Sequence, residues 1–285
     1  MSEHIMEVNG ATVFIKDGKV IKVEGPFNLE YCPLQQAIRG VEKITSETTR
    51  SSVEGRIRMF GMCTEKRIIE IKPSLVDFGT SEIIMCALKE GILDAAVLAC
   101  DGAGTVITDR PEIVQGIGGF MSGLVKTSPI ADVIDKLRKK GCIIVDSEEA
   151  KIDEAKGLEL AFEDGYERVG VTSAKVEAAQ RCREIEKEQG RMTAIFGVHT
   201  SGMSAEDAKK FRELVDVTTA CASKYIREVA KDALMQVGTK VPVFAFSELG
   251  KEMLLNRIKY MNAKVLIKTC KLPELPEEKQ PRPLF

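Results

Sequence analysis

Two short runs of β-favouring residues near the N-terminus flank an Asp-Gly pair. The runs are Ala11–Ile15 and Val20–Val23, and Asp-Gly is a preferred sequence for a tight turn between antiparallel strands. This pattern predicts a β-hairpin. The stretch 45–61 then begins with Thr-Ser and ends with Gly, and both ends are typical of helix caps. It predicts a helix that runs to about Phe60.

From residue 95 onward, short apolar runs alternate with amphipathic stretches of helical length. The predicted strands are Ala95–Cys100, Cys142–Asp146, Val169–Thr172, Ala194–His199, Val215–Thr219, Val241–Phe246 and Val265–Lys268. Regular alternation of strand and helix is typical of βαβ units, whose strands are parallel and covered on both faces. We therefore predict an α/β fold: a doubly wound, mostly parallel sheet with helices on both faces, preceded by a small N-terminal α+β region.

Three segments follow from this pattern. Residues 1–75 are predicted to form the N-terminal β-hairpin and helical region, and residues 76–270 a Rossmann-like α/β domain. Residues 271–285 contain four of the ten prolines among charged residues. This composition predicts a Pro-rich flexible tail, because chain ends are loose unless they are docked.

Composition and charge exclude several classes of protein. The 285 residues include 41 Lys and Arg against 43 Asp and Glu, a net charge of -2 that offers no electrostatic basis for nucleic-acid binding. No apolar run approaches the ~18 residues that span a bilayer, and the first residues lack the pattern of a secretion signal. We expect a cytoplasmic protein that binds neither nucleic acid nor membrane.

Candidate catalytic residues follow the predicted strands. Open α/β sheets bind ligands outside the carboxyl ends of their strands, so residues at that edge are candidates. They are Cys100, Asp101, His199 and Cys221. A histidine there could transfer protons near neutral pH, and a following helix start would favour a thiolate. The alternative is structural, because hydroxyl residues at the same positions are preferred helix caps and a lone histidine is commonly structural.

Eight cysteines are present, and no two form a Cys-x-x-Cys pair. Cys86, Cys142 and Cys182 have core-like apolar surroundings in the sequence. The other five lie in loops or at element ends: Cys32, Cys63, Cys100, Cys221 and Cys270. Three or four of them could be ligands of an iron–sulfur cluster, although their long separations give this little support. Cys100 or Cys221 as a nucleophile, and burial as small apolar residues, remain alternatives.

The segment between residues 102 and 128 is rich in glycine. Gly102-Ala103-Gly104 follows a strand, but Ile107 stands where a dinucleotide fingerprint needs its third glycine. Interior helix glycines cost about 1 kcal/mol each, which indicates a close backbone approach to a ligand or to a packed neighbour. The candidate cofactor-binding residues are Gly102, Gly104, Thr105, Gly118, Gly119, Lys126, Thr127 and Ser128. The last three would hold an anion at a helix start, although simple capping explains them equally well.

Several motifs together resemble one family. They are Cys100–Thr108, Ile113–Gly119, Met121–Leu124, Cys32-Pro33-Leu34 and Phe60–Thr64. Over roughly residues 10–270 the chain resembles the methanogenesis marker protein 8 family. The resemblance implies an association with archaeal methanogenesis and an anaerobic cytoplasm. The family's biochemical activity is unassigned, so the resemblance supplies no catalytic residue.

Three functions are compatible with these observations. The first is an accessory factor in the assembly, activation or maturation of a coenzyme-dependent methanogenic enzyme, with a protein partner in that machinery. The second is an enzyme that acts on a small anionic or phosphorylated coenzyme. The third is a non-catalytic docking subunit of a larger complex. The sequence leaves open whether the protein is an enzyme and whether its cofactor is an iron–sulfur cluster or a small anionic coenzyme.

Overall fold

A computed structural model describes residues 2–121 and 123–285. Its strands are β1 (Glu3–Val8), β2 (Ala11–Lys16), β3 (Lys19–Glu24), β4 (Ala95–Cys100), β5 (Gly104–Thr108), β6 (Leu124–Thr127), β7 (Ile143–Ile144), β8 (Arg168–Ser173), β9 (Met192–Gly197), β10 (Val217–Thr219), β11 (Met235–Val237) and β12 (Val243–Ala245). Its α-helices are α1 (Pro33–Arg39), α2 (Ser46–Phe60), α3 (Thr80–Lys89), α4 (Pro111–Gly118), α5 (Ala131–Lys139), α6 (Glu154–Glu163), α7 (Val176–Gln189), α8 (Ala205–Leu214), α9 (Lys224–Val229) and α10 (Glu248–Lys259). The described part of the chain is therefore a mixed α/β structure with two sheets.

The smaller sheet is antiparallel and has the strand order β3-β2-β1-β6. The predicted hairpin is confirmed as β2 and β3, with Lys16 paired to Lys19 beside the turn. In β1, His4, Met6 and Val8 alternate with more exposed residues, so one face of this sheet is buried. That face packs against α2, which contributes Val53 to the same apolar cluster.

The larger sheet has the order β11-β12-β10-β9-β8-β4-β5-β7. Its four central strands, β10, β9, β8 and β4, are parallel, whereas the two pairs at each side are antiparallel. The sheet is thus mixed, and the prediction of a mostly parallel sheet was wrong outside its centre. Gly102 and Gly104 both have positive φ, at 83° and 73°, and turn the chain directly from β4 back into antiparallel β5.

Helices pack on both faces of the larger sheet. Ala96 and Leu98 of β4 join one apolar cluster with residues of α3, α4, α5 and α10. Ala95 and Val97, which alternate with them, join a second cluster with residues of α6, α7, α8 and α9. The strand interiors are apolar because side chains on both faces of this sheet are buried.

Local signals located several elements correctly. Thr45 caps α2 through the backbone N–H of Thr48, and Gly61 ends the helix in the left-handed region, as predicted.

The predicted strand Val265–Lys268 is absent from the structure, and its apolar side chains are exposed. A strand needs a neighbour to complete its backbone hydrogen bonds, and among the described residues no strand pairs with this segment.

The Pro-rich tail runs back across the protein. Arg282 forms an antiparallel bridge with Tyr31, and the backbone N–H of Phe285 donates to the carbonyl of Ala222 over 3.0 Å. The side chain of Gln280 is buried and receives a hydrogen bond from Arg227. The tail is therefore in contact with both the N-terminal region and the larger sheet. The domain boundaries at residues 75 and 270 remain predictions.

Candidate functional site

The order of strands in the larger sheet reverses between β4 and β8. After β4 the chain continues to β5 and β7 on one side, and after β8 it continues to β9 and β10 on the other. Such a reversal opens a crevice at the carboxyl ends of the two strands, where α/β proteins bind ligands. In this protein Cys100 ends β4 and is followed directly by Asp101, and Ser173 ends β8.

Two groups of the N-terminal region contact Asp101, the residue that follows β4. Asp101 is buried, and its Oδ1 lies 2.8 Å from Nε of Arg67 while its Oδ2 accepts the backbone N–H of Cys63 over 2.5 Å. Arg67 also donates to the carbonyls of Ile68 and Ile117, at 2.8 Å and 3.2 Å. Both carboxylate oxygens and the guanidinium are thus satisfied within the protein. Asp101 forms a structural ion pair in this arrangement.

Two thiols lie beside this ion pair. Cys63 and Cys100 are both buried, and Cys63 has a positive φ of 59°. Burial raises the pKa of each thiol well above its ordinary value, and the negative charge of Asp101 raises it further. A thiol with a raised pKa carries little thiolate at neutral pH and is a poor nucleophile or metal ligand.

His4 is a buried titratable residue that faces the same crevice. Its Nδ1 lies 2.7 Å from Oγ1 of Thr127, which also accepts the backbone N–H of Gly102 over 2.8 Å. Nε2 of His4 is buried without a hydrogen-bond partner among the described residues. Burial lowers the pKa of His4, which therefore favours the neutral imidazole.

His199 follows β9 and is more accessible. Its Nε2 lies 3.3 Å from Oε2 of Glu7 in β1, and this neighbour lowers the pKa of the Glu7 carboxyl. His199 has a positive φ of 54°, a conformation that costs energy in a residue other than glycine. Gly123 packs directly on the imidazole, since a Cβ there would lie 2.5 Å from Cε1 of His199. The pair combines a proton carrier with a carboxylate at the edge of the sheet.

Cys221 lies at the end of the neighbouring strand β10. It also has a positive φ, 45°, and its Sγ lies 3.4 Å from Oγ1 of Thr219. Its carbonyl accepts a hydrogen bond from Arg227. Cys32, the residue before α1, is close enough to Cys221 for the two thiols to interact electrostatically, although burial is the main cause that raises the pKa of Cys32.

The predicted catalytic residues fall into separate places. Cys100 and Asp101 belong to the buried crevice, His199 pairs with Glu7, and Cys221 neighbours Cys32. The predicted metal ligands divide in the same way, and Cys270 is exposed. Within the described part of the chain, no group of three or more His, Cys, Asp or Glu side chains is placed to hold a metal ion. The five candidate cysteines therefore do not form one site.

The glycines of the Gly-rich segment mostly lie against the protein's own backbone. A Cβ at Gly104 would lie 2.4 Å from the carbonyl carbon of Ala150, and one at Gly119 would lie 2.5 Å from the carbonyl oxygen of Gln115. At Gly118 the nearest atom would be Cβ of Ser81, at 3.2 Å. Thr105 accepts the backbone N–H of Asp153 over 2.8 Å. These close approaches are made to packed neighbours.

The predicted anion-binding residues lie in and just after β6. Lys126 is exposed, Thr127 contacts His4 and Gly102, and the Ser128 hydroxyl donates to the carbonyl of Glu3 over 2.9 Å. The following helix, α5, begins only at Ala131. Thr127 and Ser128 thus attach β6 to its surroundings, and the helix start expected at this position lies further along the chain.

Sequence reasoning missed three residues that shape this region: His4, Glu7 and Arg67. The first two lie on β1, which was not predicted, although the alternation of polar and apolar residues over Glu3–Val8 is a strand signal. Arg67 lies in a loop, and no local pattern marks its pairing with Asp101.

Two cavities lie outside this region. One, of about 380 Å³, is lined by Val145, Asp146, Ser147, Glu148, Lys151, Asp153 and Lys156. The other, of about 400 Å³, is lined by Arg183, Glu186, Arg212, Glu213, Val215, Asp216, Phe246 and Ser247. None of the candidate catalytic, cofactor-binding or metal-ligating residues predicted from the sequence lines either cavity. Among the described helices, none has the length and apolar character needed to cross a membrane.

Comparison with known proteins supplies the family. A family described as an uncharacterised protein conserved in archaea (DUF2099) matches residues 4–259. A protein of Methanocaldococcus jannaschii, itself described as uncharacterised, is 41% identical over 287 residues, which cover the whole of both chains. Both matches extend over the β1 strand, the Arg67–Asp101 pair and the Gly-rich segment. The chain belongs to this archaeal family of uncharacterised proteins.

Proposed function

We propose that this protein is an accessory factor in the assembly, activation or maturation of a coenzyme-dependent enzyme of methanogenesis. We also propose that it belongs to the methanogenesis marker protein 8 family and is cytoplasmic. Residues 76–270 would form a doubly wound, Rossmann-like domain. Its biological support is the full-length similarity to a protein of a methanogen. The partner would be a protein of the methanogenic machinery.

One observation carries the preference for an accessory role over an enzyme. At the strand reversal, where a coenzyme would bind, both oxygens of Asp101 are occupied by Arg67 and by the N–H of Cys63. A ligand that bound Asp101 would have to displace this buried ion pair, and an unpaired charge left there would cost several kcal/mol. This occupied carboxylate supports a role other than coenzyme binding at Asp101.

Deletion of the gene in a methanogen that carries a family member tests the proposal. We expect normal amounts of the coenzyme-dependent methanogenic enzymes but lower specific activity, because assembled protein would lack its activated or matured state. Reintroducing the wild-type gene should restore the activity. Full specific activity of every such enzyme in the deletion strain would refute the accessory role.

The Glu7–His199 pair favours a second candidate, an enzyme that acts on a small anionic coenzyme. The two side chains are partly exposed although Nε2 of His199 is itself buried, and a histidine beside a carboxylate is suited to proton transfer. The test is incubation of the protein with a low-molecular-weight methanogen extract, followed by mass spectrometry. Consumption of a phosphorylated or carboxylated compound by the wild type, but not by His199→Gln, would favour the enzyme. An unchanged extract would remove this candidate.

A further inference from the structure

A segment between α10 and the tail, which belongs to no helix or strand, is exposed along its whole length. Residues 262–271 are all exposed, and the segment includes three consecutive apolar side chains. The exposed fractions are 43% for Val265, 84% for Leu266 and 68% for Ile267. Single exposed apolar residues are common on protein surfaces, but a consecutive run of this kind indicates an interaction site.

The backbone of this segment also lacks partners. In the described parts of the chain, none of its N–H or C=O groups forms a backbone hydrogen bond. Val, Ile and Thr favour β-structure, and the same run was predicted as a strand from the sequence. The segment therefore has the composition of a strand and exposed hydrogen-bonding groups, but no sheet to join.

All charged side chains in this segment are positive. Lys264, Lys268 and Lys271 surround the apolar run, and no Asp or Glu occurs between Met253 and Pro273. Lys268 contacts Glu274 at 3.0 Å, but this pair is exposed and such pairs contribute little. In an extended strand, Lys264, Leu266 and Lys268 lie on one face and Val265 and Ile267 on the other.

We infer that residues 262–271 add as a strand to the exposed sheet edge of an acidic partner protein. This inference rests on the proposed function, since the partner is the methanogenic enzyme that the accessory factor serves. Backbone hydrogen bonds would supply affinity, Val265 and Ile267 would enter an apolar surface, and the lysines would face carboxylates.

Two other occupants fit the segment less well. In a pair formed by two copies of this segment, lysines would face lysines, and like charges opposite each other destabilise a sheet. A membrane surface favours an amphipathic helix with one apolar face, whereas the extended segment has apolar side chains on both faces. The exposed sheet edge of an acidic protein would supply both carboxylates for the lysines and hydrogen-bond partners for the backbone.

Site-specific photo-crosslinking in methanogen cells tests the inference. A photoreactive phenylalanine analogue is placed at Leu266, and the crosslinked peptides are mapped by mass spectrometry. The matched control places the same analogue at Leu255, an exposed apolar residue on α10. We expect position 266, and not 255, to crosslink to an edge strand with nearby carboxylates on a different protein. Crosslinks confined to this chain, a second copy or lipid would overturn the inference, as would no crosslink.

Charge reversal separates this inference from the proposed function. Lys264→Glu with Lys268→Glu should reduce the crosslinked complex by about tenfold or more, because attraction becomes repulsion. Lys187→Glu with Lys209→Glu, which changes exposed lysines on α7 and α8, should leave it within about twofold. If the double variant at 264 and 268 restores enzyme activity fully in the deletion strain, the docking segment is wrong and the accessory role stands. If the deletion strain shows no defect, the proposed function itself fails.

Discussion

Arg67 and Asp101, 34 residues apart in sequence, form an ion pair in which Nε lies 2.8 Å from Oδ1. The side chains are 0% and 1% exposed. This contact joins the loop after α2 to the end of β4, and with it the N-terminal region to the centre of the larger sheet. Removing one partner of such a pair leaves a buried charge uncompensated.

Arg67→Met should lower the free energy of unfolding by about 3–5 kcal/mol, because Asp101 would lose its counter-charge in a buried position. Urea unfolding followed by circular dichroism measures this change. Arg168→Met is the matched control, since Arg168 pairs with Asp94 at the surface over 2.5 Å and an exposed pair of this kind contributes little to stability. Similar small losses for both variants would show that Asp101 is not held as described.

Gly116→Ala should destabilise the protein by about 2–3 kcal/mol through overpacking. A Cβ at this position would lie 2.1 Å from the carbonyl oxygen of Ile69, where backbone cannot move aside easily. Gly118→Ala in the same helix is the control, because its Cβ would meet only Cβ of Ser81 at 3.2 Å. Thermal unfolding compares the two variants. Equal stability would contradict a close approach of α4 to residue 69.

The His4 imidazole should make stability depend on pH just below its ordinary pKa of 6.5. Burial lowers the pKa of His4 in the folded protein, so the unfolded chain binds a proton that the fold excludes. The free energy of unfolding should therefore fall as the pH falls below 6.5, and level off below the folded pKa. Urea unfolding at a series of pH values tests this.

The matched variants for this pH dependence are His4→Gln and Glu7→Gln. His4→Gln should flatten the profile just below pH 6.5. His199, whose Nε2 lies 3.3 Å from Oε2 of Glu7, lowers the pKa of Glu7 from its ordinary 4.5, so Glu7 contributes stability above that pH and loses it in a more acidic window. Glu7→Gln should therefore change the acidic part of the profile. A profile near pH 6 that is the same with and without His4 would contradict its burial.

The rate at which each cysteine is labelled should decrease as the burial of its thiol increases. In native protein at pH 8, Cys270 should react first with a thiol-specific alkylating agent, and Cys32 and Cys221 more slowly, because the latter two are partly buried. The buried thiols Cys63, Cys86, Cys100, Cys142 and Cys182 should react only after unfolding. Burial raises the pKa of Cys182 to about 12, which leaves almost no thiolate. Mass spectrometry follows each site; rapid native labelling of Cys100 would mean that the crevice opens.

The elements that sequence predicted well are those with local signals. The ends of α2 follow from Thr45 and Gly61, and the hairpin follows from its Asp-Gly turn, because caps and tight turns depend on a few adjacent residues. The prediction of a strand at Val265–Lys268 was wrong because a strand also needs a pairing strand beside it, which local composition does not reveal.

The site was harder to predict because its contacts are distant in sequence. The position of Asp101 at the end of β4 followed from strand periodicity, but its partner Arg67 depends on how two sheets meet. The Gly-rich segment indicated close backbone approach, and the approach is to packed neighbours such as Ala150 and Ile69. Periodicity identifies an edge of the sheet; it does not show whether that edge is open.

Reconstitution of activity tests the accessory role most directly. Coenzyme-dependent methanogenic enzymes are isolated without oxygen from cells that lack this protein, and purified protein is added together with extract from the same cells. We expect wild-type protein, and also His199→Gln, to raise specific activity to the level in unmodified cells. Activity that stays unchanged after the addition, or that is already complete before it, would refute the accessory role.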